Sequence, residues 1–480
     1  MSAHLLIHPL PYRTNTAQLF SRFKDQAWSI LLDSGQPKSQ YGRYDIFVAN
    51  PFITIKVQDI VGAHLVQTQY EKTVTEIWQD DQTTISNEDP FAILNRLLKP
   101  YQESDLVQHP NIPFSGGAVG YFGYDLARQV EHLPTTAHIN HALPHMMVGI
   151  YDWAVVVDHR EKTSAIVSNG LCSKTHDQWQ SICDQFESVF AQTDEVENPF
   201  KITSAISSNM DYSYYSQAFH RIKAYIQAGD CYQVNLAQRF SAQAQGAAWY
   251  AYLKLREISP APFMAYMNFG GLQVMSGSPE RFLQVVNQHV ETRPIKGTCP
   301  RNADQKIDQK NAEVLQSSIK DRAENLMIVD LLRNDISKNC ETGSVKADKL
   351  FQLQSFANVH HLVSIVTGKL AKGKTAIDLL RGCFPGGSIT GAPKLRSMQI
   401  IEELEPHRRG LYCGAVGYIG FDGNMDTNIT IRTVVYSEGE ISFYAGGGIV
   451  ADSLLENEYA ETLDKAASIM KVMQFFQAQP

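Results

Sequence analysis

The chain has 480 residues, 44% of them hydrophobic and 19% charged, a globular composition that excludes a disordered chain and leaves room for about two to four units. Its 50 acidic against 42 basic residues give a formal charge of −8, so no basic surplus exists to neutralise a phosphate backbone and nucleic acid is excluded as a partner. Seven scattered cysteines without a Cys-x-x-Cys pair argue against a disulfide framework or structural zinc. With no basic leader and no apolar run of about 18 residues, the expectation is a cytoplasmic protein without membrane association.

In chain order, Asp45 to Ile55 and Ala154 to Val167 are short, rich in Val and Ile and bounded by turn residues, and are predicted as strands. Helices are predicted at Phe91 to Leu98 and Asp177 to Phe190. The acidic and then Ser-rich stretch around Thr193 to Met210 reads as a linker, which divides the chain into 1–192, a connection at 193–211, and 212–480. Asp211 or Ser213 caps a helix carrying Tyr215, Phe219, Ile222 and Ile226 and stopped at Gly229. A strand from Cys231 to Ser241 follows, with Tyr232, Val234, Leu236 and Gln238 on one face and Gln233 and Asn235 on the other. One long helix is predicted from about Asp308 to Ile336, and another begins at Pro393. Cys413 to Ala445 reads as an antiparallel meander. GGAVGYFGYD at 116–125 and CGAVGYIGFD at 413–422 agree at seven of ten positions. No Gly-Lys-Ser/Thr follows either copy, so the glycines serve close sheet packing, and the repeat suggests two related sheets.

Several polar residues stand where chemistry is possible. In the last helix, Leu455, Tyr459, Leu463, Ala466, Met470 and Met473 form an apolar stripe, flanked by Glu458, Glu461 and Lys465. Two carboxylates and an ammonium there either hold a hard cation and an anionic group or form a solvated ion pair. Glu324 heads an apolar run and needs a cation or hydrogen bonds if it is buried; a helix-surface charge is the alternative. Lys296, between Ile295 and Gly297, is either a desolvated nucleophile or a turn lysine. Glu280 is either a general acid raised by burial or a surface glutamate beside Arg281. His132, His138, His141 and His145 resemble a metal set, but Pro134 and Pro144 break the helix that would align them.

SPERF at 278–282, PIKGT at 294–298, DRAENLMIVDLLRND at 321–335, GSITGAPK at 387–394, the strand Asn428 to Arg432, and GGGIVADS at 446–453 followed by ENEYAET occur in one order. Together they resemble the chorismate-utilising enzymes: anthranilate synthase, aminodeoxychorismate synthase and isochorismate synthase. The resemblance covers most of 212–473. SILLDSG at 29–35 and FSGGAVGYFGYD at 114–125 resemble the amino-terminal region of the first two enzymes. The fold this implies is an α/β (α+β) sandwich of two large, mainly antiparallel sheets with helices outside. Lys296 before Gly-Thr points to the branch of aminodeoxychorismate synthase component I, where anthranilate synthase usually carries alanine. Isochorismate synthases place a water-activating lysine where Gln233 stands.

The resemblance implies chorismate as substrate and Mg²⁺ as cofactor, held by Glu324 and Glu461 with Glu458 a further ligand. It implies that Glu280 protonates the departing C4 hydroxyl. Lys296 attacks C2 or, alternatively, only orients the substrate. Arg432 and Lys465 bind carboxylates, assisted by backbone around Thr298, Thr390-Gly391 and Gly447-Gly448; His361 and Tyr418 match site positions. Leu32 and Ser34 correspond to a tryptophan pocket that is structural, regulatory or vacant here. No Gly-x-Cys-x-Gly elbow is present, so ammonia is expected from a separate glutamine amidotransferase subunit. The implied enzyme is a transferase of the transaminase class in p-aminobenzoate and folate synthesis; the alternatives are anthranilate synthase component I and a non-catalytic chorismate-binding regulatory protein.

Overall fold

The structure, a computed structural model, describes residues 5–37, 42–60, 72–103, 109–139, 143–189, 199–355 and 359–477. Among these residues the strands form two large sheets, of thirteen and twelve strands. In the first, the path runs from Leu6–Leu10 through Ser29–Asp33, Phe263–Asn268, Leu272–Ser278, Thr433–Ser437 and Glu440–Ile449 to Gln233–Gln245. In the second it runs from Ile295–Pro300 through Val359–Lys369, Arg281–Val286, Met425–Ile429, Ala415–Gly420 and Gly117–Phe122 to Gln82–Ser86. Neighbouring strands pair antiparallel in both.

Alternating side chains explain the layers. One set of apolar side chains, including Ile30, Val48, Val119, Tyr121, Val156, Met267, Val274 and Val416, fills the space between the sheets. The opposite faces are covered by helices: Pro90–Gln102 and Ala376–Cys383 pack on the second sheet, and Ala248–Ile258 and Leu455–Phe476 on the first. This is the expected sandwich with helices outside. Both sheets mix strands from either side of 193–211: Met264 registers with Asp33 in the first and Tyr418 with Val119 in the second. Within the proposed connection, 193–198 lie outside the described residues, and Lys201–Ile202 and Ser207–Ser208 pair with the strand Gln233–Gln245.

Several expectations need correction. The two glycine-rich copies do not mark two sheets: they are hydrogen-bonded neighbours in one, with Gly117 opposite Gly420 and Gly120 opposite Gly417. A methyl group on Gly417 would stand 2.1 Å from Asp426 O, and one on Gly120 2.1 Å from Met147 O, so the repeat is set by backbone approach. The long helix is two helices, Gln305–Ser317 and Ile319–Ser337, because Ser318 takes an extended ψ of 114° and its hydroxyl caps Asp321 N at 3.2 Å. Asp45 to Ile55 is also two strands, Tyr44–Val48 and Ile53–Ile60, separated at Asn50-Pro51. The last helix turns differently from the predicted stripe: Leu463 is 42% exposed, while Glu458, Thr462, Ala466, Ile469, Val472 and Met473 are buried. The glycines at 446–448 leave a bare strand surface, and polar Glu458 and Thr462 close onto it, Thr462 accepting from Gln238 Nε2 at 2.6 Å.

Candidate active site

Two neighbouring segments cross from one sheet to the other, and each carries a site residue. Leu272–Ser278 belongs to the first sheet and Arg281–Val286 to the second, so Pro279-Glu280 forms one crossing. Met425–Ile429 and Thr433–Ser437 likewise bracket the other, where Arg432 has a φ of 51°. They are tied together: Ile429 N donates to Glu280 O at 3.0 Å, Gly277 N to Arg432 O at 3.0 Å, and Ser278 Oγ to Ile429 O at 2.6 Å. A crossing between layers delivers its side chain to the interior, and Glu280 is buried. Burial raises its carboxyl to about 7, opposed by the charges of Lys296, Lys465 and Arg432 and by the Ser388 hydroxyl, which donates to Oε1 at 3.3 Å. A carboxyl near 7 can deliver a proton at neutral pH.

Lys296 lies on Ile295–Pro300, an edge strand paired with Val359–Lys369. No hydrogen bond to its ammonium occurs among the described residues, and desolvation, then Lys465, lower its pKa against the opposing pull of Glu324, Glu280 and Glu461. Next to it Gly297 has a φ of 81° and backs onto Asp321 and Leu315 of the two helices above. Thr298 stands opposite His361 in the ladder. His361 is buried and its imidazole is lowered to about 4 by desolvation and nearby Arg432, so it is neutral at physiological pH.

The acidic side of the site is assembled over glycine. A methyl on Gly447 would sit 3.1 Å from Glu458 Oε2 and 3.3 Å from Glu461 Oε1. Glu458 is buried; Ser453 Oγ donates to its Oε1 at 2.6 Å, while Oε2 has no partner among the described residues. Burial raises the Glu458 carboxyl, and the charge of Glu461 adds to that. Lys465 bridges Glu461 Oε1 at 2.6 Å and Gly446 O at 2.9 Å, so the i,i+4 ion pair weighed from sequence is formed at the border of the site. Although its surroundings partly desolvate it, Glu461 is held below its usual range by that lysine. Glu324, on Ile319–Ser337, is raised by desolvation and feels Lys296 and Glu461.

The backbone cradle lies on the other flank. Thr390 is fully buried, its hydroxyl donating to Gly386 O at 3.1 Å. Gly391, at φ 138°, runs so close to the strand Gln233–Gln245 that a methyl would meet Gln233 O at 2.1 Å. Gly448 stands opposite Asn235 on the other edge of that strand. Gln233 and Asn235 therefore line the floor between Thr390-Gly391 and Gly447-Gly448. Both are buried, and Gln233 Nε2 and Asn235 Oδ1 lack partners among the described residues. Alternation in the sequence put these two amides on one face; Ser388, which reaches Glu280, stood inside a quoted motif without being singled out.

Glu280, Lys296, His361, Arg432, Glu324, Glu458, Glu461 and Lys465 are thus linked by proximity or charge. Tyr418 is not with them: it packs on Phe114 with ring centroids 5.2 Å apart and lines a separate cavity of about 660 Å³ together with Leu32, Arg43, Phe263 and Arg281. Its strand carries the side chain to the face away from Glu280, so its assignment to the substrate site is corrected. Ser34 turns aside from this cavity, its hydroxyl donating to Asp45 Oδ1 at 2.6 Å. Of the four histidines, His145 is bonded to Asp59 at 2.8 Å and His138 lies beside His407, while His141 falls outside the described residues. Among the described residues, no three His, Cys, Asp or Glu side chains are gathered closely enough to hold an ion unaided.

The family model of chorismate binding enzymes matches residues 56–471. The chain belongs to the chorismate binding enzyme family. As such it is 44% identical to aminodeoxychorismate synthase component 1 of Salmonella typhimurium, with 96% of each chain covered. It is 34% identical to anthranilate synthase component 1 of Acetivibrio thermocellus, covering 95% of this chain and 92% of that one. The crystal structure of anthranilate synthase component I from Streptococcus pneumoniae superposes with a TM-score of 0.77 at 30% identity, over 89% of this chain and 92% of the other. Chemically, Arg432, Lys465 and the glycine backbones are groups able to meet an anion, and they lie around Glu280 and Lys296. No helix among the described residues is long and apolar enough to cross a membrane.

Proposed function

We propose that this chorismate binding enzyme is the aminating component of an aminodeoxychorismate synthase. It replaces the C4 hydroxyl of chorismate with ammonia to give 4-amino-4-deoxychorismate. The observation that carries this reading is Lys296, an amine with no hydrogen bond among the described residues, whose pKa is lowered by desolvation and by Lys465. The higher identity to an aminodeoxychorismate synthase component 1 than to an anthranilate synthase component 1 supports the same branch.

In this reading Arg432, Lys465 and the backbone of Thr390-Gly391 and Gly447-Gly448 orient the dianion. Neutral Lys296 attacks C2, the ring double bonds shift, and the C4 oxygen leaves as water after taking the Glu280 proton. Ammonia then adds at C4, the double bonds return, and Lys296 departs from C2; Glu280 recovers a proton from the incoming nitrogen. Glu324, Glu458 and Glu461 would hold Mg²⁺ as hard oxygen donors together with the substrate, a reading supported by Glu458 Oε2, which is buried without a partner among the described residues. Bound there, Mg²⁺ would neutralise the ring carboxylate and make the ring more electrophilic. Ammonia would come from a glutamine amidotransferase subunit in the cytoplasm, and a separate lyase would carry the product to p-aminobenzoate.

Incubation with chorismate, Mg²⁺ and ammonium is expected to give 4-amino-4-deoxychorismate and, under single-turnover conditions without ammonium, a covalent adduct visible by intact-mass spectrometry. Lys296→Ala should abolish the adduct. Anthranilate fluorescence with pyruvate release from the unaltered chain would overturn the branch assignment, and an adduct that survives the substitution would remove the nucleophile.

A further inference from the structure

The strand Gln233–Gln245 is the floor of the site, and its partner on one side is very short. Gly391-Ala392 pairs only with Val234 and Gln233, after which Asn235 N donates to Thr390 O at 2.9 Å and the chain turns away. The ladder does not stop there. Glu405 Oε1 accepts from Ala237 N at 2.9 Å, and Arg409 Nη2 donates to Asn235 O at 3.0 Å. The two side chains are bonded to each other, Nε to Oε2 at 2.9 Å and Nη2 to Oε1 at 2.7 Å. They occupy the place of the missing strand, and both are almost fully buried. Arg409 lies between the rings of Tyr124 and Tyr412.

One donor of Arg409 goes elsewhere: Nη1 donates to Ile389 O at 3.1 Å. Ile389 closes the turn Gly387–Ile389, whose middle residue is Ser388, and Thr390 follows. A buried ion pair gives little net stability over an apolar replacement of equal volume, so its directional bonds are the feature to explain. They fix the turn at one end to the floor strand and place the Ser388 hydroxyl at 3.3 Å from Glu280 Oε1.

We infer that Glu405 and Arg409 are a positioning pair: by standing in for a strand they hold the turn 387–391, and so set the Ser388 contact to the acid Glu280 and the Thr390-Gly391 cradle for a substrate carboxylate. This rests on Glu280 being the acid of the proposed amination. The groups facing Glu280 are Lys296, Arg432, Lys465 and Cys413, and those facing Arg409 are Glu405, Tyr124, Tyr412 and Cys413. Arg409→Lys keeps the charge among all of these and loses the fork, so a change in the behaviour of Glu280 reports geometry.

The test measures chorismate affinity by calorimetry across pH, with Mg²⁺ present, for the unaltered chain, Arg409→Lys, Ser388→Ala and the double variant. It needs no turnover, so it separates from the product assay that decides the branch of the family. The Ser388 bond favours the ionised acid, so its loss moves the pH dependence upward. Ser388→Ala should shift the midpoint assigned to Glu280 by about half to one unit. Arg409→Lys should give the same upward shift with weaker binding, and the double variant should add nothing. A folded Arg409→Lys chain whose midpoint does not move, or shifts that add in the double variant, would overturn the inference. If Arg409→Lys does not fold, the same cycle run with Glu405→Gln decides by the same two criteria.

Discussion

Burying Glu280 in the crossing between sheets has a measurable cost. Its carboxyl rises from 4.5 to about 7, so between those values the folded chain binds more protons than the unfolded one, and stability falls as pH rises through that window. At about 1.4 kcal/mol per unit, the ionised group costs roughly 3 kcal/mol at pH 8 and under about 1 kcal/mol at pH 5. Glu280→Gln keeps the shape and removes the charge. Relative to the unaltered chain, the variant should therefore gain about 2–3 kcal/mol between pH 5 and pH 8. For 480 residues the unfolding entropy is about 1 kcal/mol per degree, so the gain corresponds to roughly 2–3 °C in melting temperature. Differential scanning calorimetry at both pH values reads it directly, and only the change in the difference matters, since lost contacts contribute equally at each pH. Activity with ammonium should drop by about 10²–10⁴-fold, as for removal of a general acid. Melting curves that shift in parallel for both proteins would mean that Glu280 is not a neutralised interior acid, and the proton donor would have to be sought elsewhere.

Other outcomes follow from close contacts. Gly447→Ala places a methyl 3.1 Å and 3.3 Å from the two carboxylates it lies under; Mg²⁺ titrations of chorismate binding should show affinity for the ion lowered by roughly tenfold or more, and an unchanged midpoint would separate Glu458 and Glu461 from the metal. Gly417→Ala drives a methyl to 2.1 Å from Asp426 O, forces Ala415–Gly420 away from Met425–Ile429 and should cost about 3 kcal/mol, read as a lower denaturation midpoint without a change in the slope of the transition.

How far the sequence could be read depends on what each signal measures. Asp211, Gly229 and the spacing between Tyr215 and Ile226 gave the helix Tyr212–Gln227 because caps and periodicity are local. Ser318 was invisible for the opposite reason, since whether a serine sits inside a helix or caps the next one is decided by Gly297 and Leu315 packing against the joint. The glycine repeat showed its role but not its partner: close approach is written in the missing side chains, whereas pairing of Gly120 with Gly417 is a contact across the whole chain. In the site, Glu280, Lys296 and the acidic helix were legible through motif resemblance. The burial of Glu458 was not, because the predicted stripe assumed that apolar residues choose the face, and a run of bare glycines chose it instead. Tyr418 was misplaced by the same kind of error, a residue inside a shared motif being credited with the motif's purpose. Arg409 carried no local signal, since its task is to replace a strand that ends too soon.

Because each sheet weaves together strands from both ends of the polypeptide, neither half owns a complete layer. A peptide corresponding to the carboxy-terminal portion would carry all of Glu280, Lys296, Glu324, Glu458, Glu461 and Lys465, yet its glycine strand Ala415–Gly420 would present an open edge where Gly117–Phe122 belongs. Two separately produced fragments should thus remain incompetent alone and regain chorismate binding only when refolded as a mixture, so that the early part of the chain serves the chemistry as scaffolding without supplying a reactive group.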